Sequence, residues 1–201
     1  TQNRGPDLTA PFAGAANAQE AAAAETAMVP DMVLGKEDAP VTVVEYASFT
    51  CPHCQNFHAT VFDDLKKNYI DTGKVRFVYR EVFFDKFGLW AAMVARCGGE
   101  MKYFGIADMI YDTQKDWIGD GQEQAIADNL RKIGLKAGIA PDTLDACMKD
   151  NAMAKSLVAT YQKNADADGI ESTPSFLIDG QKYSNMSYEE FSKILDEKLG
   201  G

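Results

Sequence analysis

The sequence is poor in basic residues and contains no long apolar run. Its 201 residues include 20 Lys and Arg against 30 Asp and Glu, which gives a net charge of −10 and a pI near 4.7. Nucleic-acid binding depends on phosphate neutralisation by Lys and Arg, so this balance argues against a nucleic-acid partner. No apolar run approaches the roughly 20 residues that a bilayer span requires, and we therefore expect a soluble protein.

The N-terminal region lacks large apolar residues. Residues 1 to about 30 are rich in Ala and carry no apolar stripe that could pack against a core. We interpret residues 1–30 as a flexible leader or as a helical oligomerisation segment, and the sequence leaves both interpretations open. The chain begins at Thr1 and shows no charged-then-apolar signal peptide. Cleavage of such a peptide before Thr1, or the choice of an expressed fragment, would give this start.

Cysteine is scarce, with four residues in the whole chain: Cys51, Cys54, Cys97 and Cys147. A chain of this length buries about 70% of its unfolded surface and suits one large domain, with or without an insertion. It therefore needs no disulfide or metal to fold, and its cysteines are available for another use. An even count permits disulfides without proving an oxidising compartment.

Hydrophobic patterning describes an α/β domain that is interrupted by helices. The β-branched run from Val41 to Tyr46 predicts a buried strand that leads into the cysteine pair, and a helix and a second strand follow. This order is that of a βαβ unit with the cysteines at the entrance of the helix. Later in the chain, Asp179-Gly180 predicts a hairpin turn. The predicted strands are 41–46, 75–82, 175–178 and 181–183, and the predicted helices are 55–69, 88–97, 101–111, 122–134, 141–148, 151–163 and 188–199.

The pair Cys51 and Cys54 is spaced for dithiol chemistry. Two cysteines at this spacing can close a small disulfide across one helical turn, and the thiolate is their reactive form. At a helix N-terminus, free backbone N–H groups and the positive end of the macrodipole favour the Cys51 thiolate. We therefore predict that Cys51 is the exchanging sulfur and that the less exposed Cys54 resolves mixed disulfides. Pro52 suits the first helical turn, and His53 can offer the thiolate a charge or a hydrogen bond.

Two other interpretations of this motif exist. Cys51, Cys54 and His58 form a C-x2-C-x3-H string that could bind zinc. A structural zinc site requires four ligands, however, and the other histidine is His53 inside the motif. A purely structural Cys51–Cys54 disulfide is the second alternative, which the strand-to-helix setting disfavours. We predict redox use and no bound metal.

Thr173-Pro174 directly precedes the predicted strand 175–178. A proline ahead of a buried strand is unfavourable unless the loss of its N–H donor is useful. A cis peptide here would turn the backbone of Thr173 toward the cysteines, where it could pair with an extended substrate. An isolated X-Pro bond is usually trans, but the order cysteine pair, helices, X-Pro, strand favours a cis bond.

Two segments together resemble the DsbA family of the thioredoxin superfamily. They are VTVVEYASFTCPHC at residues 41–54 and STPSFLIDG at residues 172–180, within a resemblance that covers about 33–201. The resemblance implies a thioredoxin-like fold with an inserted helical domain, and it matches Pro174 to the family's cis-proline. It also matches Glu45 to an acidic residue buried under the active site, although a solvent-facing strand position would suit Glu45 as well. The implied organisation is a thioredoxin-like part over 31–86, a helical insert over 87–163 and a second thioredoxin-like part over 164–201.

The resemblance also implies a function. A DsbA-like protein would donate its disulfide to unfolded, reduced exported proteins in the periplasm and would be reoxidised by a membrane quinone reductase of the DsbB type. It would act as a monomer without a metal or organic cofactor. One alternative is a disulfide isomerase or reductase that oligomerises through residues 1–30. Another is a non-catalytic chaperone or binding module that uses the same groove.

Two residues depart from the best-known family members. Thr173 stands before the proline where those members carry an apolar residue, which leaves redox strength and substrate release open. His58 stands where they carry an acid, and we interpret it as a solvated helix residue.

The remaining cysteines, Cys97 and Cys147, fall in predicted helices. A structural disulfide that joins two helices is the interpretation we favour, and it would add about 4 kcal/mol by the chain-entropy model. Two separate buried thiols and a second redox pair are the alternatives.

Overall fold

The computed structural model describes residues 27–200 and contains a five-stranded sheet. The strand order across the sheet is β1-β3-β2-β4-β5, in which β2 and β3 are parallel and the other neighbouring pairs are antiparallel. In chain order the strands are β1 Met32–Leu34, β2 Val41–Ala47, β3 Val75–Glu81, β4 Ser175–Ile178 and β5 Gln181–Tyr183.

The structure describes one long first helix and seven further helices. Helix α1 is continuous, with α-helical turns at Pro52–Phe57 and Asp63–Leu65 and π-helical turns at His58–Phe62 and Lys66–Ile70. Helices α2 to α6 lie between β3 and α7 in the chain. The remaining helices are α2 Lys86–Arg96, α3 Glu100–Asp112, α4 Gln114–Ile118, α5 Glu123–Lys136, α6 Pro141–Met148, α7 Asn151–Asp168 and α8 Tyr188–Lys198.

Strand β2 lies at the centre of the sheet, between β3 and β4. Its β-branched residues suit this position because a strand covered on both faces must be apolar almost throughout. Val41, Val43 and Tyr46 are buried. Because α1 connects the parallel strands β2 and β3, its N-terminus lies at the carboxyl end of β2. That end of the sheet is where ligands and reactive groups gather in α/β folds.

Aromatic packing holds α1 and α8 on the sheet. Phe57 of α1 contacts Phe176 of β4 with ring centroids 4.8 Å apart, and Phe176 contacts Phe191 of α8 at 4.9 Å. One turn further along α1, Phe62 packs on Phe77 of β3 at 5.1 Å. All five rings are buried, so α1 is fixed along its length and presents its N-terminus in one orientation.

Most of the predicted elements are present, with differences at the short ones. The Asp179-Gly180 hairpin turn has positive φ at both residues, as a two-residue hairpin requires. Strand β1 and helix α4 were not predicted, because three and five residues are too few to show a period. The helix predicted over 151–163 runs on to Asp168 and ends at Gly169 in the left-handed conformation.

Most of the predicted leader, 1–30, lies outside the described residues. The part that is described packs on the domain, since the Val29 backbone N–H donates to Oγ1 of Thr160 at 3.0 Å. Among the helices described, none combines the length and apolar character needed to cross a membrane.

Candidate active site

Cys51 occupies the N-cap of α1, and Pro52 follows in the first turn, as the sequence predicts. The Cys51 backbone N–H donates to the Ser48 carbonyl oxygen at 3.2 Å, and Gln55 N–H donates to the Cys51 carbonyl at 3.1 Å. The Cys51 side chain is half-buried and the Cys54 side chain is fully buried, and both are free thiols. The cysteine pair therefore has one accessible and one enclosed sulfur.

The Cys51 thiolate is stabilised by several donors at once. The pKa of Cys51 is lowered to about 5, first because the Cys54 side chain donates a hydrogen bond to its sulfur. The Thr173 side chain and the backbone N–H groups of Cys54 and His53 lower the pKa further, while partial burial opposes them. The side chain of His53 is exposed, and the contribution of this residue comes through its backbone. Donors at a helix N-terminus are the expected cause of a low thiol pKa.

Cys54 has the opposite electrostatics. Burial raises the pKa of its thiol, and the hydrogen bond with Cys51 and the charge of Glu45 raise it further. The two sulfurs therefore differ in both exposure and acidity. Cys51 is an accessible thiolate near neutral pH, and Cys54 is a buried thiol that donates a hydrogen bond to it.

The Thr173–Pro174 peptide is cis, and Pro174 is buried. The loop lies beside the reactive sulfur, since the Cys51 thiol donates to the Thr173 carbonyl oxygen at 3.8 Å. The hydroxyl of Ser175 donates to the Ser172 carbonyl at 2.6 Å and ties the two ends of this turn together. The structure thus brings the two sequence motifs together at one site, although 122 residues separate Cys51 from Thr173.

Substitution of Thr173 by Val should raise the pKa of Cys51. Val keeps the shape of Thr but removes the hydroxyl that donates to the thiolate. We expect the pH midpoint of Cys51 alkylation to increase by about half a unit to one unit. Thr173→Ser, which retains a hydroxyl, is the matched control and should stay near the wild-type midpoint. An unchanged alkylation midpoint in Thr173→Val would show that the Thr173 hydroxyl does not stabilise the Cys51 thiolate.

Glu45 and His58 form a buried pair beneath the cysteines. His58 Nε2 lies 3.0 Å from Oε1 of Glu45, and both side chains are buried. The imidazole also stacks on the Tyr111 ring, with centroids 4.2 Å apart. The interpretation of His58 as a solvated helix residue was therefore wrong. A signal was present, because His58 lies at helical spacing from Cys54 and Phe62 on the buried face of α1.

Three further residues support the site and were not singled out in the sequence. The Gln114 amide donates to the carbonyl oxygens of Phe49 at 2.8 Å and of Cys51 at 3.1 Å. The Tyr111 hydroxyl donates to the Ser48 carbonyl at 3.2 Å. A third anchor is Asp85, which accepts a hydrogen bond from the Thr50 hydroxyl at 2.9 Å and caps helix α2. These three residues lie in or at the start of helices distant in sequence from the cysteine motif, so no local pattern marks them.

The zinc interpretation does not match the geometry. His58 is turned to Glu45, and no group of three or more His, Cys, Asp or Glu side chains within residues 27–200 is arranged to hold a metal ion. Cys97 and Cys147 are joined to each other in a disulfide, as the favoured interpretation predicts. The disulfide links the C-terminal end of α2 to α6.

A sheet of this order, with a cysteine pair at a helix N-terminus facing a cis-proline, defines the thioredoxin-like class of proteins. Comparison with known sequences agrees. A thioredoxin family model matches residues 27–197, and the chain belongs to this family.

Solved structures of DsbA proteins are similar to this chain. The crystal structure of alpha-DsbA1 from Wolbachia pipientis aligns with a TM-score of 0.77 at 28% identity, covering 88% of this chain and 94% of that chain. BdbD from Bacillus subtilis in its oxidised form aligns with a TM-score of 0.70 at 27% identity, covering 85% and 94% respectively. The fold is thus thioredoxin-like with the helical insertion, as the resemblance implied.

A curated relative carries a functional name. A protein of Rickettsia bellii named as a protein-disulfide oxidoreductase is 35% identical over 170 residues, which is 84% of this chain. The match covers 64% of that relative, so this chain spans less than two thirds of its length.

Proposed function

We propose that this protein is a thiol–disulfide oxidoreductase that donates the Cys51–Cys54 disulfide to reduced, unfolded exported proteins. The observation that carries the proposal is the asymmetry of the pair, in which the pKa of Cys51 falls to about 5 while that of the buried Cys54 rises. A stabilised Cys51 thiolate stabilises the reduced pair, and this makes the disulfide an oxidant. The names of the similar proteins support the same chemistry.

The proposed reaction has two exchange steps. A substrate thiolate attacks the Cys51 sulfur of the oxidised enzyme, the Cys51–Cys54 bond breaks, and Cys54 takes up a proton as it leaves. A second substrate thiolate then attacks the substrate sulfur of the mixed disulfide and releases Cys51 as a thiolate. The substrate loses two electrons in forming its disulfide, and the cysteine pair gains them.

Substrate recognition in this proposal uses backbone and apolar surface. The Thr173 carbonyl lies beside the Cys51 sulfur, where an extended chain could pair with the loop before Pro174. Phe84, which follows β3, offers an apolar side chain that is 59% exposed. The next residue, Asp85, accepts a hydrogen bond from Thr50, the residue before Cys51. Such contacts bind unfolded chains without reading their sequence. We place the protein in the periplasm, as a monomer that a DsbB-like membrane quinone reductase reoxidises.

A redox titration with glutathione tests the oxidant assignment. At pH 7 a thiol pKa of about 5 instead of about 7, the thioredoxin value, stabilises the reduced pair about 50-fold. At about 30 mV per tenfold change, this raises the potential by about 50 mV above the roughly −270 mV of thioredoxin. We expect a potential less negative than about −220 mV. A value close to that of thioredoxin would instead favour a reductase and contradict the proposal.

An oxidative refolding assay tests the reaction itself. The oxidised protein should restore activity to a reduced, unfolded test protein with one equivalent of disulfide per turnover, and Cys51→Ser should be inactive. Full activity of Cys51→Ser would favour the chaperone or binding-module alternative. Preferential repair of a scrambled substrate by the reduced protein would favour the isomerase alternative.

A further inference from the structure

The loop that leads into the first helix carries backbone carbonyls that lie inside the protein. Residues 48–51 connect the end of β2 to α1 and belong to neither element. Ser48 and Phe49 are both buried. A buried carbonyl oxygen outside a helix or a sheet ladder is costly unless another group donates a hydrogen bond to it. The positions of these donors therefore decide how the last residue of the loop, Cys51, is held.

Helices α3 and α4 supply side-chain donors to this loop. The Tyr111 hydroxyl of α3 donates to the Ser48 carbonyl at 3.2 Å. The Gln114 amide of α4 donates to the carbonyl oxygens of Phe49 at 2.8 Å and of Cys51 at 3.1 Å. Both partners of Gln114 are acceptors, so the side chain presents its NH2 group, and each of the two N–H bonds serves one carbonyl. Gln114 therefore bonds the loop at two points, one of which is the reactive residue itself.

Gln114 is itself held in place. Its side chain is buried, and the helix that carries it is anchored through Trp117. The buried indole N–H of Trp117 donates to the Ile110 carbonyl of α3 at 2.8 Å. The Asn129 amide of α5 donates to the Trp117 carbonyl at 3.3 Å. Because α4 is bonded to both neighbouring helices, the Gln114 amide has a fixed position against the loop.

The bond to the Cys51 carbonyl bears on the direction of the Cys51 sulfur. Cys51 has extended backbone angles, with φ −79° and ψ 121°, and its carbonyl also accepts from the Gln55 N–H at 3.1 Å. Because ψ sets the direction of the carbonyl relative to the Cα–Cβ bond, the two donors together fix the direction in which the side chain leaves the backbone. The backbone N–H groups of Cys54 and His53, which stabilise the thiolate, lie in the turn that follows. A hydrogen bond weakens steeply as its angle departs from linearity, so the thiolate depends on this alignment.

We propose that Gln114 is a positioning residue of the active site, whose amide holds two carbonyls of the loop so that the Cys51 sulfur faces the N–H donors of α1 and stays aligned for exchange with Cys54. The inference rests on the proposed roles of the two cysteines. Gln114 acts on the sulfur through the backbone of the loop. Orientation of the reacting groups supplies a large part of the rate of an intramolecular attack, and the attack of Cys54 on Cys51 is such a step.

A merely structural role of Gln114 makes a different prediction. In that case loss of the amide would lower the free energy of unfolding, because two buried carbonyls lose a donor, and the chemistry of the folded site would not change. A positioning role adds a change in the reactivity of Cys51 in the protein that remains folded. Two readouts report this reactivity: the pH midpoint of Cys51 alkylation, and the rate at which Cys54 displaces a leaving group from the Cys51 sulfur.

Substitution of Gln114 by Met removes both donors and keeps the length of an unbranched side chain. Asn129→Leu is the matched control, since it removes the amide-to-carbonyl bond on the other side of α4 and leaves the donors to the loop in place. We expect the alkylation midpoint of Cys51 to rise by about half a unit to one unit in Gln114→Met and by less than about 0.2 units in Asn129→Leu. Urea unfolding should show a lower midpoint for both variants. Gln114→Asn, whose amide is one methylene too short to reach both carbonyls, should shift the alkylation midpoint in the same direction as Gln114→Met.

Reaction of the reduced protein with dithiobis(nitrobenzoate) measures the alignment of the two sulfurs. Cys51 attacks the reagent, forms a disulfide with one half of it and releases the other half as a coloured thiolate. Cys54 loses its proton to the medium, attacks the Cys51 sulfur and releases the second thiolate, so that the cysteine pair loses two electrons and the reagent gains them. At high reagent concentration the second release does not depend on that concentration. We expect its rate to fall about threefold to tenfold in Gln114→Met and to stay within about twofold in Asn129→Leu.

The outcomes separate the role of Gln114 from the proposed function. A wild-type alkylation midpoint near that of a free thiol would contradict the proposed function itself. A wild-type midpoint near pH 5, with an unchanged midpoint or an unchanged second release in folded Gln114→Met, would overturn the positioning role alone. Effects in Asn129→Leu as large as those in Gln114→Met would also overturn it, because they would indicate a general loosening of α4. If Gln114→Met does not fold, the same outcomes are read from Gln114→Asn.

Discussion

Alkylation of Cys51 in the reduced protein should reach half of its plateau rate near pH 5. The cause is the set of donors at the start of α1, of which the Cys54 side chain is the strongest. The measurement is the rate of iodoacetamide labelling of Cys51 against pH, followed by mass spectrometry. In Cys54→Ala, which lacks the strongest donor, the midpoint should rise by at least about one unit. A wild-type midpoint near that of a free thiol would refute both the stabilised thiolate and the proposed oxidant.

The pH midpoint of alkylation reports the pKa of Cys51 better than the absolute alkylation rate does. At pH 6 a thiol with a pKa of about 5 is about 90% ionised, whereas a thiol at the ordinary value of 9.0 is about 0.1% ionised. This gain of nearly a thousandfold is reduced about 60-fold, because nucleophilicity falls by about 0.4 to 0.5 log units per unit of pKa. At pH 6 the alkylation rate of Cys51 would therefore exceed that of an ordinary thiol by only about tenfold. The pH midpoint of alkylation, in contrast, moves by the full difference between the two pKa values.

The lowered pKa of Cys51 also makes the free energy of unfolding of the reduced protein depend on pH. The pKa of Cys51 is lower in the folded reduced protein than in the unfolded chain, so the folded state binds fewer protons between about pH 5 and about pH 9. The stabilisation is fully present above the unfolded pKa and is lost as the pH falls through about 5. The disulfide form has no Cys51 thiol and therefore lacks this stabilisation. The stability of the reduced form relative to the disulfide form should therefore increase between about pH 5 and about pH 9, as urea unfolding of both forms would show.

Local patterns in the sequence were sufficient to predict the arrangement of the reactive groups. A β-branched run, a proline after the first cysteine and helical spacing from Phe57 to Leu65 describe a strand that enters a helix at Cys51. The Asp179-Gly180 turn is also local, since the two residues supply the positive φ that the hairpin needs. These features depend on neighbours in the chain.

Features that depend on distant contacts were not predicted. Strand β2 is buried on both faces at its carboxyl end, from Glu45 to Ala47, so no alternation there indicates which way Glu45 points. The burial of His58 depends on the Tyr111 ring of α3, which lies 4.2 Å away in space. Gln114 lies in a helix of five residues and reaches back to Phe49 and Cys51. The sequence therefore locates the sulfurs, and tertiary packing determines what surrounds them.

Removal of the second disulfide should destabilise the protein without altering the reactive cysteine. The Cys97–Cys147 bond closes a loop with a sequence separation of 50. In the chain-entropy model, opening this loop lowers the free energy of unfolding by about 4 kcal/mol, through greater freedom of the unfolded chain. The double variant Cys97→Ala/Cys147→Ala is compared with the wild type by urea unfolding. We expect a lower midpoint and a larger m value, because an unfolded chain without the crosslink exposes more surface.

Other contacts hold the folded position of α2, so the effect should lie in the unfolded state. Arg96, in the last turn of α2, forms a buried ion pair with Glu81 of β3 and also donates to the Pro30 carbonyl at 3.2 Å. At the other end of α2, the Asp85 side chain accepts from the Gly88 N–H at 2.8 Å. Both contacts are independent of the disulfide, so the double variant should fold and keep the alkylation midpoint of Cys51. A shifted midpoint would show that the disulfide also acts on the folded active site, and an unchanged stability would contradict the chain-entropy account.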